Sequence, residues 1–252
     1  MSVILEVRNL TKNFGDFQAV SGVTLSVRRK ELTSLIGPNG AGKTTFYNML
    51  SGKFPPSSGK ILFEGRDIAG FPPHRIARIG IGRSFQITNI FNGMTVMENI
   101  LSALIAHHRK GASFFRPYWR DAKLVAEAEA ILDSLGLLPF AETPTTRLSY
   151  GDKRLVEIGI VLANSPRLIL LDEPTAGMTP EETDRMIALI HRLAEETDTT
   201  FFLTEHDMKV VFSVSRKIYV LHQGRLLSEG TPEEIRSDPR VQEAYLGGGA
   251  HA

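Results

Sequence analysis

The 252-residue sequence predicts an α/β fold: a parallel sheet at its core, β strands leading into it, and a block of helices interrupting it. Three observations predict this. Apolar and polar residues alternate around Leu5, Val7, Val23, Leu25 and Val27, the two-residue period of half-buried strands. Residues 88–163 switch to helical spacing. Beyond them, Leu168-Ile169-Leu170-Leu171 is a continuous apolar run followed by a helical pattern, the form of a parallel strand covered on both faces.

Taken in order, residues 9–19 and 55–59 are rich in turn formers and are expected to be loops between the first strands. Residues 32–36 read as a strand that runs into a glycine turn and then into a helix at Phe46-Tyr47-Asn48-Met49-Leu50. Thr95 with Glu98 forms a candidate capping box opening a helix over 96–106. Leu124, Ala128, Ile131, Leu132 and Leu135 recur at helical spacing until Gly136 stops them. Thr179-Pro180-Glu181-Glu182 supplies an N-cap, a first-turn proline and an N3 glutamate before Met186, Leu189, Ile190 and Leu193. Residues 200–203 and 217–221 are further strands, and Thr231-Pro232-Glu233-Glu234 repeats the capping pattern. The Gly247-Gly248-Gly249 tail is expected to be disordered.

Composition narrows the function classes. Lys plus Arg number 29 against 28 Asp plus Glu, so the chain lacks the basic excess that wrapping nucleic acid requires. Without a cysteine, disulfide scaffolds, thiolate zinc sites and thiol nucleophiles are excluded. Glu6 and Arg8 break the apolar N-terminal stretch, which does not read as a signal peptide. No run of about 18 uncharged apolar residues exists to span a bilayer. The expectation is a soluble, cytoplasmic, globular protein.

The strongest chemical signal is Gly37-Pro38-Asn39-Gly40-Ala41-Gly42-Lys43-Thr44, followed by Thr45. It fits G-x-x-x-x-G-K-[ST] in full, after a strand and before a helix. Glycines let backbone N–H groups turn inward around an anion, and the helix N-terminus adds partial positive charge. Lys43 is expected to reach β- and γ-phosphates, and the Thr44 hydroxyl to ligate Mg²⁺. Asp172 and Glu173 end a buried strand. The first carboxylate there can hold Mg²⁺, and the next can polarise a water for attack on the γ-phosphorus.

Leu148-Ser149-Tyr150-Gly151-Asp152 lies between these two motifs, and His206 follows the next strand. With that order the sequence resembles the ATP-binding-cassette (ABC) ATPases, whose signature is usually LSGGQ and here reads LSYGD. The resemblance implies a P-loop NTPase core with N-terminal antiparallel β strands and an inserted α-helical subdomain. It divides the chain into core residues 1–87, a helical part at 88–164 carrying the signature, and core residues 165–252. It implies that Phe14 stacks on adenine, that residues 37–45 hold the phosphates, and that Thr44, Gln86 and Asp172 surround Mg²⁺. It further implies that Gln86 contacts the attacking water and couples to membrane subunits, that Glu173 is the catalytic base, and that His206 contacts the γ-phosphate. Ala176-Gly177-Met178-Thr179 takes the place of the dimer loop. Ser149 and Gly151 are implied to face the γ-phosphate of a second cassette, although Ser149 also suits an N-cap of its own helix.

Two positions depart from the family pattern. Tyr150 replaces a glycine, a variant associated with importers of branched-chain amino acids, and Asp152 puts a negative charge where a glutamine is usual. The stretches FQITNIFNGMTVMENI, DEPTAGMTPEET and DPRVQEAYLG resemble ATPase subunits of those importers, and the urea-importer ATPases are similar. The implied partners are ATP, hydrophobic permease subunits and a second ABC ATPase subunit, identical or paralogous. A periplasmic or extracellular solute-binding protein acts indirectly, and the implied location is the cytoplasmic face of the inner (plasma) membrane. A soluble ABC ATPase working on nucleic acid is the less suited alternative, since such proteins generally carry two cassettes or long coiled coils. Met94, Val96 and Met97 are candidates for the groove that receives a permease, and core packing explains them nearly as well. The basic and aromatic stretch 107–120, which includes Arg116 and Trp119, suits a membrane interface or single-stranded nucleic acid, or else a surface loop whose aromatics pack on the helices, the reading that the near-neutral chain favours.

Overall fold

The computed structural model describes residues 2–84, 90–108 and 121–246. The expectations for Gln86, for residues 109–120 and for the glycine tail lie outside these. The chain opens with a long hairpin, β1 (Val3–Phe14) and β2 (Phe17–Arg28), extended by β4 (Ser58–Phe63) and β5 (Arg66–Asp67) into a sheet ordered β2-β1-β4-β5. All its pairings are antiparallel. The turn formers of 9–19 do not break these strands. Only Gly15 and Asp16 reverse the chain, while Asn9, with φ of 48°, sits where the register shifts between Val7 and Leu10. That shift is a bulge, which bends a strand without ending it. Ser58 and Gly59 likewise open β4 instead of lying in a loop.

The second sheet contains β3 (Thr33–Ile36), β6 (Ile81–Arg83), β7 (Leu168–Asp172), β8 (Thr200–Thr204), β9 (Lys217–His222) and β10 (Arg225–Gly230). Its order is β10-β9-β3-β8-β7-β6, parallel throughout except for the β9–β10 pair. The apolar run of β7 serves two cores at once. Leu168 and Leu170 pack with Ile4, Val20, and Phe46 and Tyr47 of α1 (Lys43–Leu50). Ile169 and Leu171 face the other way, toward Val156 of α5 (Tyr150–Leu162) and Leu189 of α6 (Pro180–Glu196). Each such leucine contributes roughly 1.5–3 kcal/mol by leaving water, which is why the strand carries no alternation.

The inserted helices are α3 (Val96–His107), α4 (Ala122–Ser134) and α5. Ile100, Leu104, Leu124, Ala128 and Leu132 share one core with β7, β8 and α6. The capping boxes form as the sequence predicts, at Thr95 with Glu98, at Thr179 with Glu182, and at Thr231 with Glu234 before α8 (Pro232–Ser237). Shorter helices α2 (Pro73–Arg78), α7 (Met208–Val214) and α9 (Pro239–Leu246) complete the described chain. They span too few turns for a hydrophobic period to announce them. Because β3, β8 and β7 are parallel neighbours, their C-terminal ends lie side by side. That edge receives the glycine loop from β3, Asp172 from β7 and Glu205-His206 from β8, the usual ligand edge of an α/β sheet.

Candidate active site

The phosphate loop is shaped by close backbone packing. Gly42 has φ of 100°, and a Cβ there would come 2.6 Å from the Ala19 carbonyl oxygen. Any other residue would meet both a strained backbone and β2. Lys43 Nζ donates to Gly37 O at 2.6 Å and to Pro38 O at 3.2 Å, so its ammonium is curled over the loop. Burial pulls its pKa down, opposed by the charges of Glu173 and then Asp172. Helix α1 has no acidic residue in its first turn and no side-chain cap. Its leading N–H groups and positive end therefore remain available to an anion. Asn39, Gly40 and Thr44 are exposed there and Thr45 is half-buried.

At the adjoining strand ends, Asp172 is buried with both oxygens engaged. Oδ1 accepts from the Thr204 hydroxyl at 2.8 Å, and Oδ2 accepts from Arg83 at 2.8 Å. Glu173 takes φ of 51°, a left-handed conformation that a non-glycine residue holds only at a cost. Its N–H donates to Thr204 O at 3.0 Å, and its carboxylate lies 2.5 Å from His206 Nε2. The next layer is Glu205, which the sequence reading passed over. Its Oε1 accepts from the Thr175 N–H at 2.9 Å and hydroxyl at 2.7 Å, and its Oε2 accepts from the His206 N–H at 3.1 Å. One buried carboxylate thus joins the segment after Glu173 to His206.

Phe14 stands at the hairpin tip with nearly half its surface exposed, edge-on to Phe54 at 5.5 Å, with Lys12 Nζ 5.2 Å from both rings. Ser149 does cap its own helix, accepting from the Asp152 N–H at 3.1 Å. Its hydroxyl also lies 2.9 Å from Asp152 Oδ2 and 3.1 Å from Glu182 Oε1, and the Gly151 N–H donates to the same Glu182 oxygen at 3.2 Å. A Cβ on Gly151 would come 2.6 Å from that oxygen, so glycine is what admits the carboxylate. The Thr179 N–H foremost, then Ser149 and Gly151, hold the Glu182 carboxyl below the ordinary glutamate range against partial burial. The N-terminus of α5 therefore binds an anion already, supplied by its own chain.

Two donor types converge beside the loop, the Thr44 hydroxyl and the Asp172 carboxylate, and both line one cavity. Hard oxygen donors of this kind suit Mg²⁺, which takes one or two protein ligands and completes its shell with phosphates and water. No group of three or more His, Cys, Asp or Glu side chains that could hold a metal ion occurs among the described residues. Among the groove candidates, Met94 is exposed and Met97 half-buried, but Val96 is wholly buried and faces the core. Phe91, Leu138 and Phe140 are exposed instead. Asn99 and Thr145 tie the 91–95 loop to α3 and to the 143–145 segment. Of stretch 107–120, His107 ends α3 and His108 pairs with Glu127 at 2.9 Å.

A sheet that brings a G-x-x-x-x-G-K-T loop, a buried acid and a second acid paired to a histidine onto one edge is that of a nucleotide hydrolase. The chain belongs to the ABC transporter family, which matches residues 20–176, and is an ATPase of that family. Residues 225–251 match the branched-chain amino acid ATP-binding cassette transporter family. The chain is 44% identical over 252 residues to the high-affinity branched-chain amino acid transport ATP-binding protein BraF of Pseudomonas aeruginosa, covering 97% of this chain and 98% of that one. It is 42% identical to LivG of Escherichia coli, a protein of the same description, at the same coverage. Among solved structures, the ADP conformation of MJ1267, an ATP-binding cassette of an ABC transporter, superposes with a TM-score of 0.88 at 32% identity, covering 98% of this chain and 100% of that one. The dimeric cassette MJ0796 superposes with a TM-score of 0.75 at 26% identity, covering 90% and 98%.

Proposed function

We propose that this chain is the ATP-hydrolysing subunit of a membrane importer for branched-chain amino acids, held at the cytoplasmic face of the inner membrane by its partners. The pairing of Glu173 with His206 at the edge where the phosphate loop opens is the observation that carries the catalytic reading. Phe14 stacks on adenine, the backbone of residues 37–45 cradles the phosphates, and Lys43 leaves its loop carbonyls for the β- and γ-oxygens. Thr44 and Asp172 would hold Mg²⁺, with Gln86, which lies outside the described residues. When bound, the metal supplies positive charge to the phosphates. Glu173 accepts the proton of the attacking water, and His206 orients Glu173 and contacts the γ-phosphate.

Residues 1–87 and 165–252 act as the nucleotide-binding core, and 88–164 as the part presenting Ser149 and Gly151. Those two bind the γ-phosphate of a second cassette, so that two chains close head to tail over two ATP molecules. The dimeric structure of the cassette MJ0796 supports the pairing of two such chains. The exposed Phe91, Met94, Leu138 and Phe140 suit a hydrophobic permease subunit. No helix among the described residues is long and apolar enough to cross a membrane, so attachment runs through that partner. A periplasmic or extracellular binding protein then delivers the solute, and nucleic acid has no part.

The test is affinity purification of tagged protein from detergent-solubilised native membranes, with mass spectrometry of the chains that accompany it. Two hydrophobic permease subunits and a second cassette are expected. Ribosomal or DNA-associated proteins in their place would overturn the transporter reading. Uptake of labelled leucine and of urea, with and without the gene, separates the two solute classes.

A further inference from the structure

Neither the phosphate motif nor the strand-end acids call for Arg83, yet its side chain makes three hydrogen bonds at their junction. It ends the edge strand β6 with only 11% of its side chain exposed. Nη2 donates to Asp172 Oδ2 at 2.8 Å, and Nη1 donates to Asn48 Oδ1 at 2.7 Å and to Ser51 Oγ at 2.8 Å. The guanidinium lies 6.0 Å from the Tyr47 ring, while its Nε–H is buried without an acceptor among the described residues.

We propose that Arg83 is a positioning residue of the metal site, fixing the Asp172 carboxylate and competing with the divalent cation for it. The inference rests on the assignment of Thr44 and Asp172 to that cation. With Thr204 on Oδ1 and Arg83 on Oδ2, the carboxylate cannot rotate, so its free lone pairs keep one direction. A divalent ion drawing on the same carboxylate meets a fixed positive charge a few ångströms away, and in a partly buried site that repulsion is weakly screened. Arg83 also lines, with Thr44 and Asp172, a cavity of about 680 Å³ that extends to Ile76 of α2 and Val161 of α5. Arg83 thus sets a modest metal affinity and lets the ion leave after turnover.

The test is Mn²⁺ binding, followed by the EPR signal of the free ion, to the full chain in the presence of ADP. Arg83→Gln and Arg83→Met remove the charge and are expected to bind Mn²⁺ at least about fivefold more tightly. Arg83→Lys keeps it and should stay within about twofold of the unsubstituted protein. Thermal unfolding supplies the second readout. Arg83→Met should melt earlier in EDTA, where Asp172 is left buried and unpaired, and gain more from Mn²⁺ and ADP than the unsubstituted protein does. Should Arg83→Met not fold, Arg83→Gln carries the titration. Unchanged or weaker Mn²⁺ binding in the neutral variants would overturn the competition. Absence of nucleotide-dependent Mn²⁺ binding in the unsubstituted protein would instead overturn the metal assignment, and this inference with it.

Discussion

Glu205 gives the sharpest test of how the site is held together. Glu205→Ala removes the acceptor of three donors, the Thr175 N–H, the Thr175 hydroxyl and the His206 N–H, at 2.9, 2.7 and 3.1 Å. Thr175 is buried, so its two donors gain no water in exchange. At about 1–3 kcal/mol for each donor stranded in this way, the loss of stability is about 2–6 kcal/mol, read from urea unfolding. The variant leaves the phosphate loop untouched but frees the backbone of His206. Turnover should therefore fall by about tenfold or more, while KM for ATP moves by less than about threefold. Glu205→Gln keeps one oxygen for Thr175 but turns an amide N–H toward His206, and should fall between the two. A Glu205→Ala protein that loses stability yet keeps kcat within about twofold would refute the reasoning, since His206 would then be placed by something other than Glu205.

Glu173→Gln should cut ATP turnover by at least about a hundredfold while leaving nucleotide binding intact, checked by phosphate release and a fluorescent ATP analogue. Asp152→Gln and Glu182→Gln each remove a negative charge from the Ser149 hydroxyl and should raise ATPase activity modestly; Gln still fits the capping box at Glu182. An unchanged or lower rate in both would count against Ser149 as a phosphate site. Burial, opposed by the Gly37 backbone, pushes the Tyr245 hydroxyl up from 10 to about 12. Its folded value lies above the unfolded one, so its contribution is whole below pH 10 and fades as the pH rises through about 12. Melting temperature measured across that window should decline less steeply for Tyr245→Phe.

Much of this protein is written in local signals. The glycine loop, the three Thr-to-Glu capping boxes and the apolar run of β7 each depend on neighbours within a few residues, so the sequence alone determines them and the chemistry of the phosphate site. Other features cannot be read that way. Turn formers at Asn9 and Gly59 look alike on paper, but the pairing of β1 with β2 and β4 decides that they bend strands instead of ending them. Val96 reads equally as a groove residue or a core residue, and only the packing of α3 turns it inward. Arg83 finds Asp172 across 89 residues, Glu205 finds Thr175 across 30, and Glu182 finds Ser149 across 33. Contacts at such separations have no period and no motif. They exist because parallel strands bring their C-terminal ends to one edge, where a charge must meet whatever partner the sheet order places beside it.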